Sequence, residues 1–356
     1  MKISRANRWV FLAALLLSSC GAEEFNYLMS QAPGQIALLF GRVPIERVLK
    51  RKDLEPEVRR KLELALAVKK YAENDLGLVQ NNSYAIYRRL EREALSYNLT
   101  ACPKLSVDPL RWQFPVVGEM PYLGFFKKED ADKKQAELEK KGYDVYVRKV
   151  SAYSMLGIVA DPIYTPMLKY SDYDLANTII HELTHGTVWA KGWPEFNENL
   201  ALFVGNQGAL NFCIQRYGSD SEEVRYGLGS NADDLLFQQY LAQLEKQLRS
   251  LYGRKDLSDE QKLQSREQLF AETKKDFREN WMPRMQTTDY ARWPDLELNN
   301  ATVASRLVYF HDLSLYQKVY EKNGSDLKKT VGFIKSVVAD QKGDPEDNLR
   351  EWLKKN

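Results

Sequence analysis

Apolar positions change their period several times along the chain, and each change predicts an element. Between Ser171 and Gly192, residues Leu175, Ile179, Ile180, Leu183, Thr187 and Val188 recur at helical spacing. Ser171-Asp172-Tyr173-Asp174 opens this run like a capping box with Asp in the last place, and Lys191-Gly192 followed by Pro194 stops it. Residues 25–100 also read as helical. Leu62, Leu64, Leu66 and Val68 lie there in a charged stretch without turn residues, and Tyr84, Tyr87, Leu90, Ala94 and Leu95 follow at helical spacing.

The pattern shortens over 103–160. Trp112 to Gly118 predicts a strand ending in a turn, Tyr122 to Phe126 a second, and the alternation from Tyr143 to Arg148 a third. Lys127 to Lys141 is a charged amphipathic helix closed by Gly142, and Ser154 to Val159 adds a strand or a loop. Strand, helix and strand imply a small α/β layer. Residues 231–285 return to long helices. Leu235, Leu236, Tyr240, Leu241, Leu244, Leu248 and Leu251 form one stripe; Leu263, Phe270, Phe277 and Trp281 form the next, opened by the capping box Ser258-Asp259-Glu260-Gln261. An antiparallel helical hairpin is expected. Residues 299–340 are again mainly helical, and Gly343-Asp344-Pro345 breaks the pattern. The expected fold is α+β and mostly helical, with residues 21–356 as one domain.

The first twenty residues change the picture. Lys2, Arg5 and Arg8 precede an apolar run, Val10 to Leu17, that is too short to span a bilayer. Leu17-Ser18-Ser19-Cys20-Gly21 resembles a bacterial lipobox, which makes residues 1–20 a signal segment, with Cys20 lipidated as the new N-terminus. Acyl chains there would tether the chain to a membrane without spanning it. By resemblance to lipoprotein sorting, Gly21 after the Cys points to the outer membrane, facing the periplasm. Removing the three basic residues from the 51 in the chain leaves 48 against 49 acidic ones. No basic field suggests a nucleic-acid partner. Cys102 and Cys213 are left either to pair in an oxidising compartment or to remain two buried thiols.

Candidate chemistry sits inside the helix at 171–192. The chain has three histidines, and two of them belong to His181-Glu182-Leu183-Thr184-His185. At i and i+4 both imidazoles share one helix face and can hold one metal ion. Glu182, about 100° round the helix, can reach a water beside that ion. A catalytic zinc takes three protein ligands and keeps a fourth position open. After the Gly192 turn, a returning helix would carry Glu198 of Asn197-Glu198-Asn199-Leu200-Ala201 back to the metal. Glu195, one turn earlier, is the competing ligand. The expectation is one zinc ion per chain, held by His181, His185 and Glu198, with Glu182 as general base for hydrolysis. Tyr309, His311 and Tyr153 are candidate donors to the oxyanion.

These motifs come in a recognisable order. Asn26-Tyr27-Leu28 with Gln31-Ala32 and Gly34-Gln35 begin it. Phe114 to Gly118, Pro121 to Phe126, Gly142 to Val147 and Ala152 to Gly157 follow, then the HExxH, Phe196-Asn197-Glu198 and Asn299-Asn300-Ala301. Together they resemble the bacterial "predicted aminopeptidase" family of zinc-dependent lipoproteins. The Asn-Glu followed by an apolar residue and Ala is similar to gluzincin-type peptidases, although thermolysin and aminopeptidase N relatives place the Glu further from the second His. The resemblance implies a zincin-like core with a small sheet beside the HExxH helix, and a peptide or protein substrate. An aminopeptidase also needs an acidic group for the substrate amine. The Gly-x-Met-Glu-Asn motif of aminopeptidase N is absent, and Glu119 is the residue left to serve. The alternative reading is a non-catalytic envelope lipoprotein whose zinc site is structural and whose hairpin binds a partner.

Overall fold

A computed structural model describes residues 22–114, 118–150, 160–307, 312–340 and 343–355. Helices dominate. In chain order they are α1 Ala22–Leu39, α2 Ile45–Leu49, α3 Pro56–Asn74, α4 Lys128–Lys140, α5 Asp172–Thr187, α6 Pro194–Tyr217, α7 Glu222–Tyr252, α8 Asp259–Asp276, α9 Asn300–Leu307, α10 Ser314–Lys322, α11 Leu327–Asp340 and α12 Pro345–Lys355. The strands are β1 Arg42–Pro44, β2 Ile86–Arg88, β3 Ser96–Pro103, β4 Trp112–Phe114, β5 Gly118–Met120, β6 Leu123–Phe125, β7 Tyr143–Val150 and β8 Ile163–Tyr164. The fold is α+β and mostly helical, as the periodicities indicate. Among the described residues no helix is long and apolar enough to cross a membrane.

The strands form three small sheets. One has the order β6-β3-β7, with both pairings antiparallel, so β6 and β7 run parallel and α4 is the crossover between them. The predicted strand-helix-strand unit is therefore real, but its central strand was read as the tail of a helical segment. The stretch from Tyr84 to Leu95 is not helical either: Tyr87 lies in β2, which pairs with β1 and β8. The spacing of its apolar residues fits a helix, yet pairing with β1, β8 and β7 overrides it. A second correction concerns the sheet beside α5. The sheet of residues 96–150 buries Leu99, Leu123, Phe125 and Val145 in a core of its own with Ala131 and Leu138 of α4. Tyr87, Ile163 and Tyr164 of the β1-β2-β8 sheet share the main core with Leu175, Ile179, Ile180 and Leu183 of α5.

Side chains from several of the sequence motifs weld these layers. Tyr27 of α1 donates to the Gly124 carbonyl at 2.6 Å and accepts from the Gly124 N–H at 2.9 Å, docking α1 on β6. Gln31 accepts from the Phe126 N–H at 3.0 Å. The Asn300 amide side chain donates to the Pro103 and Lys104 carbonyls, and its backbone N–H donates to Asp144 of β7. Asp144 is buried and pairs with Arg266 of α8 at 2.8 Å.

The α7–α8 hairpin forms as expected. Ser258 and Gln261 make the reciprocal capping box, and Tyr240 donates across to the Thr273 carbonyl at 3.4 Å. Leu235, assigned to the buried stripe, is exposed instead. Phe237 replaces it, stacked on Tyr290 with ring centroids 4.0 Å apart. Cys102 and Cys213 are both free and buried; Cys213 sits in the main core and Cys102 among Ala301 and Ala304.

Candidate metal and catalytic site

Helix α5 starts where its cap predicts. Ser171 accepts a hydrogen bond from the Asp174 N–H at 2.9 Å. It ends at Thr187, before the Lys191-Gly192 stop, because Val188 is already extended. The chain then turns through Gly192, whose φ of +88° suits glycine, and re-enters a helix at Pro194. Asn197 fixes this turn: its side chain accepts from the Ala190 N–H at 2.8 Å and donates to the Ala190 carbonyl at 3.0 Å. The Asn of the Asn-Glu motif is thus a clamp, and it aims the next residue at α5.

That next residue is Glu198. Its Oε2 lies 3.7 Å from His181 Nε2 and its Oε1 3.5 Å from His185 Nε2, while the two Nε2 atoms are 3.1 Å apart. Among the described residues these three form the group of ligand atoms that could hold a metal ion. The separations can be tested against a real ion. With bonds of about 2.0–2.2 Å at tetrahedral angles, ligand atoms should lie roughly 3.3–3.6 Å from one another. The residues fit. Glu195 is exposed in the first turn of α6 and falls outside the group. Glu198 itself keeps 48% of its side chain accessible, so the cluster opens to solvent on that side.

Burial and charge set the two imidazoles apart. Burial, with His181 beside it, pushes His185 down to about 4, so its ring is neutral at pH 7. Burial would lower His181 too, but the hydrogen bond it donates to Glu198 and the charges of Glu182 and Glu198 leave it raised. His185 Nδ1 is buried without a hydrogen-bond partner among the described residues. Its ring is held by packing instead, edge-on to the exposed Trp189 at 5.8 Å.

Two residues that the sequence did not connect with this site support the cluster. Gly205 lets α6 approach α5 closely: a Cβ there would meet Asn177 Oδ1 at 2.8 Å and His181 Cβ at 3.3 Å. Only a small residue fits opposite His181, and Gly205→Val is expected to destabilise the fold by about 1–3 kcal/mol through overpacking. Thermal denaturation reads that loss, and a metal titration reads the accompanying drop in affinity. Wild-type stability in the variant would sink the close-approach account.

The other is Tyr84, buried with φ of +61°, a left-handed conformation that is costly for an aromatic residue. Its N–H donates to the Asp161 carbonyl at 2.6 Å. Burial first and the nearby charge of Glu182 second push its hydroxyl well above the usual tyrosine range. Tyr84 therefore lies in the electrostatic neighbourhood of Glu182, which no local pattern signals.

Glu119 lies on the exposed β4–β5 hairpin, where Arg111 at 3.2 Å and Gln113 at 3.1 Å engage its carboxylate. Cys20, Tyr153, Tyr309 and His311 lie outside the described residues. Comparison with curated proteins and with solved structures finds no match to this chain. A family model does match, over residues 26–349, and that span takes in both halves of the cluster, the β-sheets and the helical hairpin. By that match the chain belongs to the family described as "Putative aminopeptidase".

Proposed function

We propose that the chain is a zinc-dependent peptidase of gluzincin type, built on a zincin-like core around α5 and α6. The observation that carries this reading is the convergence of His181, His185 and Glu198 at separations that suit one tetrahedral ion, with Glu182 one residue away. Two neutral-capable imidazoles and one carboxylate are the donor set of a catalytic rather than a closed structural zinc site. When bound, the ion supplies Lewis-acid polarisation of a carbonyl and acidifies water. The chain's own residues do the rest. Glu182 takes the proton of the attacking water and delivers it to the leaving amine. Trp189, exposed beside His185, offers a flat apolar wall to the substrate at the rim. The half-exposed Glu198 marks the side on which a peptide enters. Exopeptidase action from the N-terminus follows the family description, and the lipobox-like Leu17 to Gly21 supports an envelope lipoprotein anchored through Cys20.

The test is metal content together with peptide release. Purified protein is expected to hold about one zinc per chain, as a three-ligand site implies. Chelation should stop cleavage of a peptide library, and added zinc should restore it. Retention should weaken as pH falls into the range where His181 takes a proton, since proton and metal compete for the same atom. The carboxylates around His181 move that range upward from the ordinary histidine value. His181→Ala with full metal content would overturn the site, and metal-loaded protein that releases no peptide would leave the ion structural.

A further inference from the structure

A cavity of about 340 Å³ opens between α6 and α7, and its lining includes Leu202, Asn206, Asn231, Asp234, Arg148 and Arg306. It lies further along α6 from Glu198 of the candidate metal site. Glu198, Leu202 and Asn206 follow one another at i, i+4 and i+8 on α6, so these lining residues lie about 6 and about 12 Å along the helix from the Glu198 carboxylate. Asn206 accepts from the Asn177 amide at 2.7 Å, and Asn177 is one turn before His181 on α5. On the facing helix, Asn231 accepts from the Tyr173 hydroxyl at 2.9 Å, which ties that wall back to α5 as well.

Charge in this cavity is unbalanced. Arg148, near the end of β7, and Arg306, in the last turn of α9, bring two guanidinium groups to it against the one carboxylate of Asp234. That carboxylate already accepts the Tyr290 hydroxyl at 2.5 Å. Arg306 Nε is buried and has no hydrogen-bond partner among the described residues. A desolvated guanidinium donor without an acceptor is costly, and Arg306 lines the cavity with its charge uncompensated at that atom. The planar fork of arginine matches a carboxylate best.

We propose that this cavity is a substrate subsite that holds a peptide carboxylate on Arg306, with Arg148 beside it. The inference rests on the peptidase reading and adds the substrate class. An extended chain advances about 3.3 Å per residue, so a carboxylate here lies two to four residues from a bond cleaved at the metal cluster. The substrates are short peptides, recognised through an anionic group beyond the scissile bond. That group is either the C-terminal carboxylate or an acidic side chain.

Calorimetric binding to the full-length Glu182→Gln protein separates these sources, with and without chelator. The probes are trialanine as free acid, trialanine amide, and Ala-Glu-Ala amide. A C-terminal anchor predicts that the free acid binds at least about tenfold more tightly than the amide. A side-chain anchor predicts that gain for Ala-Glu-Ala amide instead. Either preference should vanish in Arg306→Gln, and Arg306→Lys, which keeps the charge and loses the fork, should fall between. The circular dichroism of both variants should match the parent. Equal binding of all three probes, no binding of any, or a preference that survives Arg306→Gln would overturn the proposal. A carboxylate preference in Glu182→Gln, alongside wild-type protein that purifies without metal and cleaves no peptide, would instead retire the peptidase reading and keep the subsite.

Discussion

Glu182→Gln is expected to keep its metal and to lose peptide cleavage by about 10²- to 10⁴-fold in kcat, the usual contribution of a positioned general base. Glutamine preserves the size and polarity of the side chain but cannot take a proton. Glu182 is not in the group formed by His181, His185 and Glu198, so metal content should stay at the wild-type level. That separation of metal from turnover is the useful part. A simple loss of folding would lower both, and a bystander role would lower neither. The measurements are elemental analysis of the purified variant and single-turnover release from a peptide that the wild type cleaves. Turnover within a few-fold of wild type would place the base elsewhere. Glu182 also acts electrostatically on its neighbours. It stands close enough to raise both His181 and the buried Tyr84 hydroxyl, although burial is the larger influence on each.

Asp172→Ala is expected to destabilise the protein by about 3–5 kcal/mol, because it leaves a buried ammonium without its partner. Asp172 opens α5. It accepts from Lys61 Nζ at 2.6 Å, from Arg60 at 2.6 and 3.0 Å, and from the Tyr217 hydroxyl at 2.7 Å. Lys61 and Asp172 are both buried, so this cluster pins α3 and the end of α6 to the start of the histidine helix. Burial would raise the Asp172 carboxyl, but the hydrogen bonds from Arg60, Lys61 and Tyr217 hold it far below the usual carboxylate range. The pH dependence follows from that sign. A group depressed in the folded state contributes its stability above the unfolded value, about 3.9, and loses it as pH falls further. Wild type and Asp172→Ala should therefore differ by a constant amount from about pH 5 upward and converge in stronger acid. Urea titrations at pH 7 and pH 3 measure this, and a gap that widens in acid would contradict the account.

Local periodicity carried most of what was legible in the chain. The helix around His181 and His185, its Ser171 cap, the Ser258–Gln261 box and the two strands flanking α4 all depend on neighbours a few residues away. So does the shared face of the two histidines, since 3.6 residues per turn fixes it. The misreadings have the opposite origin. Tyr84, Tyr87, Leu90, Ala94 and Leu95 keep helical spacing, yet Ser96 pairs with Val150 and Tyr87 with Val43, partners that no window around them contains. Leu235 fits the stripe of α7 but faces outward, because the α9 side of the hairpin is filled by Phe237, Trp293 and Leu298.

The choice between Glu198 and Glu195 shows the same division. Both precede apolar runs at helical spacing, one turn apart, and spacing cannot rank them. The clamp of Asn197 on Ala190 sets the angle at which α6 returns, and that angle delivers Glu198 to the histidines. The cavity goes further: Arg148, Asp234, Tyr290 and Arg306 come from four separate stretches of chain. Helix, cap and ligand spacing are one-dimensional consequences of backbone geometry, and they stand in the order of residues. Which carboxylate joins the two histidines, and which arginines line the cavity, depend on how helices pack across long loops, and that packing is settled by close approaches such as Gly205 on His181.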